Sequence, residues 1–368
     1  MTEAALSSPL EAELRRLISV AGPIPVWKFM SLCLTHPQHG YYVTRDPFGV
    51  AGDFTTAPEI SQIFGELLGV WALSVWRIMG SPENVRLVEL GPGRGTMMKD
   101  ALRALRVAPE FRNAISLHLV EASPVLERMQ RDMLESTDVP ILWHRTFEDV
   151  PDGPMIILAN EFVDALPVHQ AVKQADGWHE RVVGLDSAGD FAFGVAPDRI
   201  PHFERVLPKS AREADIGAIY EWRPDAFAFD LARKVREQGA ALIIDYGYSE
   251  SGIGDTLQAI GRHKYADVLK APGRVDITAH VDFQAFGLAA ESMGASVQGP
   301  LTQGEFLRRI GIELRAQGLK ASASPQQAAD IDSAVARLTQ TGPTGMGELF
   351  KVMAVADPRL GPLPAFEG

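Results

Sequence analysis

Glu89-Leu90-Gly91-Pro92-Gly93-Arg94-Gly95-Thr96 is the stretch of this chain with the clearest chemical content. Glycine lets a backbone turn tightly and lets a ligand approach with no Cβ in the way. The run follows a short apolar strand pattern, Val85 to Leu90, and precedes a helical one from Thr96 to about Arg106. Strand, glycine loop and helix in that order are the context in which such a loop binds a nucleotide-type ligand. Three alternating glycines are more than a simple turn needs. The spacing G-x-G-x-G departs from the G-x-G-x-x-G fingerprint of nicotinamide dinucleotides. No G-x-x-x-x-G-K-[ST] occurs, so a triphosphate loop is absent.

Carboxylates follow each of the next strand patterns. Ile115–Val120 runs into Glu121 and Ala122. An acidic side chain at the tip of a second strand accepts both hydroxyls of a ribose. The alternative for Glu121 is a favourable charge at the start of the helix opened by Pro124. The continuous apolar strand Met155–Ala159 is followed by Asn160-Glu161-Phe162-Val163-Asp164. Glu161 and Asp164 are candidates to hold a cationic or amine acceptor, with Asn160 as an orienting donor and acceptor. Asn160 or Asp164 as a helix N-cap is the competing reading. A fifth strand, Gly239–Asp245, offers Asp245 either as a further site carboxylate or as a loop anchor, and Gly254 to Lys264 is a candidate cover for the cleft. His280 and Asp282 lack a supporting cluster, so a metal site is not expected. Cys33, the single cysteine, sits in an apolar run and reads as core filling.

Strands alternating with helices specify a parallel α/β, Rossmann-like sheet with right-handed crossovers, whose ligands lie beyond the carboxyl ends of the strands. Two helices, about 8–20 and 25–35, precede it, then a loop from His39 to Pro58 rich in Gly, Pro and aromatics, then a long helix from Glu59 to Met79. A loop of that length with no period reads as a lid. The expected organisation is a helical N-terminal region, 1–80, and a catalytic domain, 81–368. Insertions fall at about 168–200, read as hairpins, and at about 247–285, read as irregular. The 368 residues carry a net charge of −12, which excludes a general affinity for nucleic-acid backbones or anionic membranes. One cysteine excludes a disulfide framework. The acidic N-terminus lacks the pattern of a signal peptide or presequence, so a cytosolic protein is expected.

E-x-G-x-G-x-G resembles the first motif of class I S-adenosylmethionine-dependent methyltransferases. That cofactor has no pyrophosphate, carries a sulfonium cation and tolerates nearby carboxylates. The Arg145-Thr146-Phe147-Glu148-Asp149 loop resembles the adenine side of such sites, with Phe147 against the base and Glu148 or Asp149 on its amino group. Further segments narrow the resemblance: Gly40-Tyr41-Tyr42, Arg45 to Gly49, Gly52-Asp53-Phe54-Thr55-Thr56-Ala57-Pro58-Glu59-Ile60-Ser61, Asn160 to Pro167, Ile244 to Gly247, Arg274 to Phe283 and Met346 to Lys351. Together they are similar to the MidA family, the bacterial and mitochondrial proteins related to the complex I assembly-factor arginine methyltransferase. The resemblance implies a class I sheet of seven strands with a helical N-terminal extension and S-adenosylmethionine as donor. It also implies a protein substrate, a complex I subunit, dimethylated symmetrically on arginine. The implied cofactor contacts are Glu89, Gly91, Gly93, Gly95, Glu121, Ala122, Phe147, Glu148, Asn160, Thr56, Pro58 and Glu59, with Asp53 and Glu59 closing over the ligand. The implied catalytic groups are Glu161, Asp164 and Asn160. The Thr-His-Trp loop and paired glutamates of the well-known arginine methyltransferases are absent. Methylation of a small molecule or nucleic acid, a cofactor-binding chaperone without turnover, and nicotinamide chemistry are the alternatives.

Overall fold

The computed structural model describes residues 8–44, 55–261, 263–342 and 345–367. Asp53 and half of the expected lid loop, residues 45–54, lie outside the described residues. The chain divides into two units of three segments each. One comprises Met1–Phe54, Asp164–Pro224 and Glu250–His280, the other Thr55–Val163, Asp225–Ser249 and Val281–Gly368.

The second unit is built on a sheet whose main path has seven strands: β1 (Val85–Leu90), β2 (Ile115–Val120), β3 (Ile141–His144), β4 (Met155–Asn160), β5 (Gly239–Tyr248), β6 (Ser296–Thr302) and β7 (Phe350–Ala356). Their order is β6-β7-β5-β4-β1-β2-β3. Strands β1 to β5 run parallel, and β7 lies antiparallel to both β5 and β6. A short eighth piece, Val281–Asp282, pairs with the end of β5 at Gly247–Tyr248. Ile156, Ile157 and Leu158 of β4 and Leu242, Ile243 and Ile244 of β5 are all buried, as strands covered on both faces must be. Strand order reverses between β1 and β4. That switch point is where an open α/β sheet leaves a crevice for ligand.

Three helices of this unit, labelled here, bear on the crevice: α1 (Gln62–Ile78), α2 (Thr96–Ala104) and α3 (Pro124–Leu134). The single helix expected from Glu59 to Met79 is two. Ala57–Ile60 forms one turn, the backbone extends at Ser61 (φ −158°), and the Ser61 hydroxyl accepts from Ile63 N to start α1. Gly65 and Gly69, one turn apart on α1, let it press onto α2. A Cβ at Gly65 would lie 2.6 Å from Met97 O, and one at Gly69 2.8 Å from Ala101 O. This packing joins residues from Thr55 onward to the sheet, so the observed division falls at 54/55 rather than at the expected 80/81.

The first unit pairs helices Pro9–Ala21 and Val26–Thr35 with an antiparallel sheet. His169–Gln174, Gly177–Leu185 and Phe191–Arg199 form the hairpins expected from the alternating pattern, and Ile219–Trp222 pairs with the first. Leu10, Leu14, Phe29, Met30 and Leu34 share a core with Cys33, whose thiol is pushed up to about 12 by burial. The stretch read as irregular holds a second small sheet, Gln258–Gly261, Lys264–Ala266 and Asp276–Thr278. Strands of three or four residues are too short to show a period. Among the described residues no helix is long and apolar enough to cross a membrane.

The α1–α2 contact sets a stability test. Valine at Gly69 improves helix propensity slightly but forces its side chain into the Ala101 backbone. Gly69→Val is expected to lower the unfolding free energy by ~2 kcal/mol net. Denaturant titration reads it, and an unchanged midpoint would show that the two helices can part without cost.

Candidate functional site

The glycine loop leaves β1 in a left-handed path. Gly91, Gly93 and Gly95 have φ of 63°, 55° and 85°. L-residues resist that region because Cβ crowds the following carbonyl. Gly91 is constrained a second time, since its Cβ would sit 2.9 Å from the Phe162 ring. Gly95 N donates to Pro92 O (2.8 Å), closing the turn that starts α2. The Thr56–Ile60 segment is fastened to this loop. Glu59 accepts from the Thr96 hydroxyl (2.6 Å) and lies 3.8 Å from the Arg94 guanidinium. Pro58 occupies the first turn of Ala57–Ile60, and Thr56 is buried before it.

At the end of β4 the backbone is strained. Glu161 has φ +50°, the left-handed region that a glutamate adopts only when its surroundings impose it. Its N–H donates to Ile244 O (2.9 Å), and its Oε1 accepts from Asn160 Nδ2 (3.1 Å) and Ala57 N (3.3 Å). Ala57 is a link the sequence reading does not supply, because a backbone amide leaves no mark in residue type. Asp245, fully buried, accepts from Val163 N and Tyr246 N, both at 2.9 Å. It is the anchor that sets the Glu161 turn, not a cleft carboxylate. Neither Asn160 nor Asp164 caps a helix, because no helix starts there; Asn160 is the last residue of β4.

Asp164 belongs to the other unit and is buried in it. Its carbonyl accepts from Arg223 and from Ala279 N. The Arg223 guanidinium also donates to the carbonyls of Leu166, Ala279 and His280. Asp164 and Asp276, with burial as the larger cause, hold the Tyr42 phenol well above its ordinary value. The Asp164 carbonyl thus has fixed partners in its own unit, while Asn160 and Glu161 stand with the glycine loop.

Two carboxylates dominate the electrostatics of the crevice. Glu89, buried at the end of β1, is pushed up to about 8, by burial first and by Glu121 second. Glu121, at the tip of β2, is raised to about 7 by burial, against the lowering effect of donors from Ser123 N (2.7 Å) and Gln130 (3.0 Å). Ala122 is exposed beside it and accepts from Arg145. After β3, Phe147 is buried and meets Phe227 edge-on at 6.1 Å. Glu148 is exposed. Asp149 is consumed locally, accepting from Thr146 N and its hydroxyl. In the pair weighed for metal, Asp282 caps the helix Phe283–Ser292 by accepting from Ala285 N (2.9 Å).

The crevice fits S-adenosylmethionine on its own chemistry. Glu89 Oε2 and Asn160 Oδ1 are buried acceptors with no hydrogen-bond partner, at the ends of neighbouring strands. A buried acceptor without a donor is costly. An amino acid's ammonium group would relieve both. Glu121 retains acceptor capacity for vicinal hydroxyls, and the three left-handed glycines clear the space between.

Fold and crevice together define a class I S-adenosylmethionine-dependent methyltransferase. The sequence family described as S-adenosyl-L-methionine-dependent methyltransferases matches residues 67–301. A Drosophila melanogaster protein named "Protein arginine methyltransferase NDUFAF7 homolog, mitochondrial" is 40% identical over 94% of this chain and 84% of its own length. The Homo sapiens protein named "Protein arginine methyltransferase NDUFAF7, mitochondrial" is 38% identical over 84% of this chain and 74% of its own. A crystal structure from Burkholderia thailandensis with bound S-adenosyl-homocysteine is 30% identical, with a TM-score of 0.84 over 98% of this chain and 95% of that one. The chain belongs to the MidA family, which it shares with these proteins, and S-adenosylmethionine is its methyl donor.

Glu89 yields a pH test. The folded, unliganded protein keeps it protonated to about pH 8, whereas the unfolded chain ionises it near 4.5. The stabilisation from a neutral Glu89 is complete below pH 4.5 and is lost as pH rises toward 8. Glu89→Gln cannot ionise, so its stability should gain on wild type by ~1.4 kcal/mol per pH unit across that window. Denaturant unfolding at pH 5.5, 6.5 and 7.5 measures the difference. A gap independent of pH would contradict a buried, neutral Glu89.

Proposed function

We propose that this methyltransferase modifies a protein on arginine, by symmetric dimethylation of a respiratory complex I subunit. The observation that carries the reading is Glu161: a carboxylate fixed in a left-handed backbone beside the glycine loop, with one oxygen already committed to Asn160 and Ala57. The naming of the relatives as protein arginine methyltransferases supports the same acceptor.

Bound S-adenosylmethionine supplies an electrophilic methyl group on a sulfonium. The chain supplies the rest. The contacts to hold the donor are Glu89 and Asn160 at the ammonium, Gly91, Gly93 and Gly95 along its backbone, and Glu121 at the ribose. Thr56, Pro58 and Glu59 brace the loop, and Phe147, Glu148 and Ala122 border the base. An arginine side chain has a pKa of about 12.5–13.8 and arrives cationic. Glu161 pairs with it, localises its charge away from the attacking nitrogen and accepts the proton lost on methylation. Most of the acceleration comes from holding that nitrogen in line. Asn160 Nδ2 and Ala57 N orient the Glu161 carboxylate toward the guanidinium.

Labelled methyl donor, purified protein and a complex I preparation lacking the modification test the reading, with mass spectrometry of the subunits as readout. Dimethylarginine should accumulate. Glu161→Gln should lower kcat by ~100-fold or more while S-adenosylhomocysteine affinity stays within a few-fold of wild type. Label on other residues, or full turnover by Glu161→Gln, would overturn it.

A further inference from the structure

Gln130 is a fully buried polar residue on the inner face of α3. It interrupts an apolar stripe at four-residue spacing, between Leu126 and Leu134. A buried amide in such a stripe is costly unless every polar atom is used. Here each is. Nε2 donates to Gly93 O (2.8 Å) and to Glu121 Oε2 (3.0 Å), and Oε1 accepts from Trp143 Nε1 (3.1 Å). The amide orientation is forced. Indole nitrogen only donates, and carbonyl and carboxylate only accept. A flipped amide would set donor against donor at Trp143 and lose the bonds to Gly93 and Glu121.

We propose that Gln130 is the positioning residue that couples the glycine loop to the ribose-side carboxylate, holding Gly93 and Glu121 in one register and Glu121 in its charged, hydroxyl-accepting form. It need not touch the ligand. Its two amide hydrogens tie the part of the loop that would follow the donor's methionine end to the group for the ribose. Trp143, clamped from its face by Arg131 (3.8 Å to the ring centroid), locks the amide from behind. This deepens the reading of Glu121 as the ribose acceptor and rests on it.

The surroundings leave few other groups to titrate between pH 6 and 9. Glu127 and Arg131 on α3 pair with one another at 2.7 Å. His118 on β2 and His144 on β3 are hydrogen-bonded to each other (2.8 Å) and pushed down by burial, so both stay neutral. Arg145 donates to the Ala122 carbonyl. Glu89 faces Glu121 from β1 and is common to all variants below.

The test is S-adenosylhomocysteine affinity against pH, by calorimetry, for wild type, Gln130→Met and Gln130→Glu. In wild type, affinity should fall about tenfold per pH unit below the ionisation of Glu121. Gln130→Met removes the donor, so the midpoint should move up by about one pH unit. Gln130→Glu keeps the shape and the acceptor for Trp143 but sets an oxygen against Glu121, and should move it further. In both variants the loss should shrink as pH rises. A structural role alone predicts a loss equal at every pH. Folded variants that keep the wild-type midpoint overturn the proposal; should Gln130→Met not fold, the near-isosteric Gln130→Glu decides alone. Glu121→Gln separates the two levels. If it binds like wild type, the ribose assignment itself fails. If it weakens binding and abolishes the pH dependence while the Gln130 variants keep the wild-type midpoint, only the role of Gln130 fails.

Discussion

The crevice depends on two carboxylates kept out of water within reach of each other's charge. Glu89 and Glu121 end adjacent parallel strands, and both are raised toward or past neutrality, chiefly by burial. Neither arrangement favours the empty protein. A cation with hydrogens to donate reverses the balance by bringing the charge and donors that these groups lack. The unpartnered oxygens of Glu89 and Asn160 are the same statement in hydrogen-bond terms. The sheet edge thus carries unmet hydrogen-bond demand, a feature common at functional sites.

That demand is useful only if the backbone around it does not relax. Three devices prevent relaxation. Asp245 takes two backbone amides and sets the turn that holds Glu161 left-handed. The Thr56–Ile60 segment reaches both the glycine loop, through Glu59, and Glu161, through the Ala57 amide. The α1–α2 contact at Gly65 and Gly69 fixes the helix that the loop feeds into. Loop, strap and the Glu161 turn therefore share supports. Strain at Glu161 persists because its surroundings over-determine it.

The first unit uses polar burial differently. Arg223 spends its guanidinium on four carbonyls, and Glu221 accepts from Gln170, Thr256 and Leu257. These contacts tie Asp164, Thr256 and the 279–280 turn to the antiparallel sheet. Buried charge there organises loops that carry no regular structure of their own. No such network leaves a trace in local periodicity.

The parallel sheet, the glycine loop and the Asn160–Glu161 turn were legible in sequence because each depends on local signals. Continuous apolar runs mark doubly covered strands, and alternating glycines mark a left-handed path. The bacterial and mitochondrial family was legible from residues such as Thr56, Pro58 and Glu59, of which Glu59 is seen in the structure to brace the loop. What tertiary structure alone decided is which polar residue answers which. Asp245 and Glu161 are both carboxylates after apolar strands, yet Asp245 takes the backbone amides of Val163 and Tyr246 and anchors the turn, while Glu161 stands beside the glycine loop. Gln130 reads as a blemish on a helix until Gly93, Glu121 and Trp143 converge on it. The division at 54/55 likewise accompanies the packing of α1 against α2. Hydrogen-bond partners tens of residues apart are set by how strands and helices stack, and no window along the chain contains both ends of such a bond.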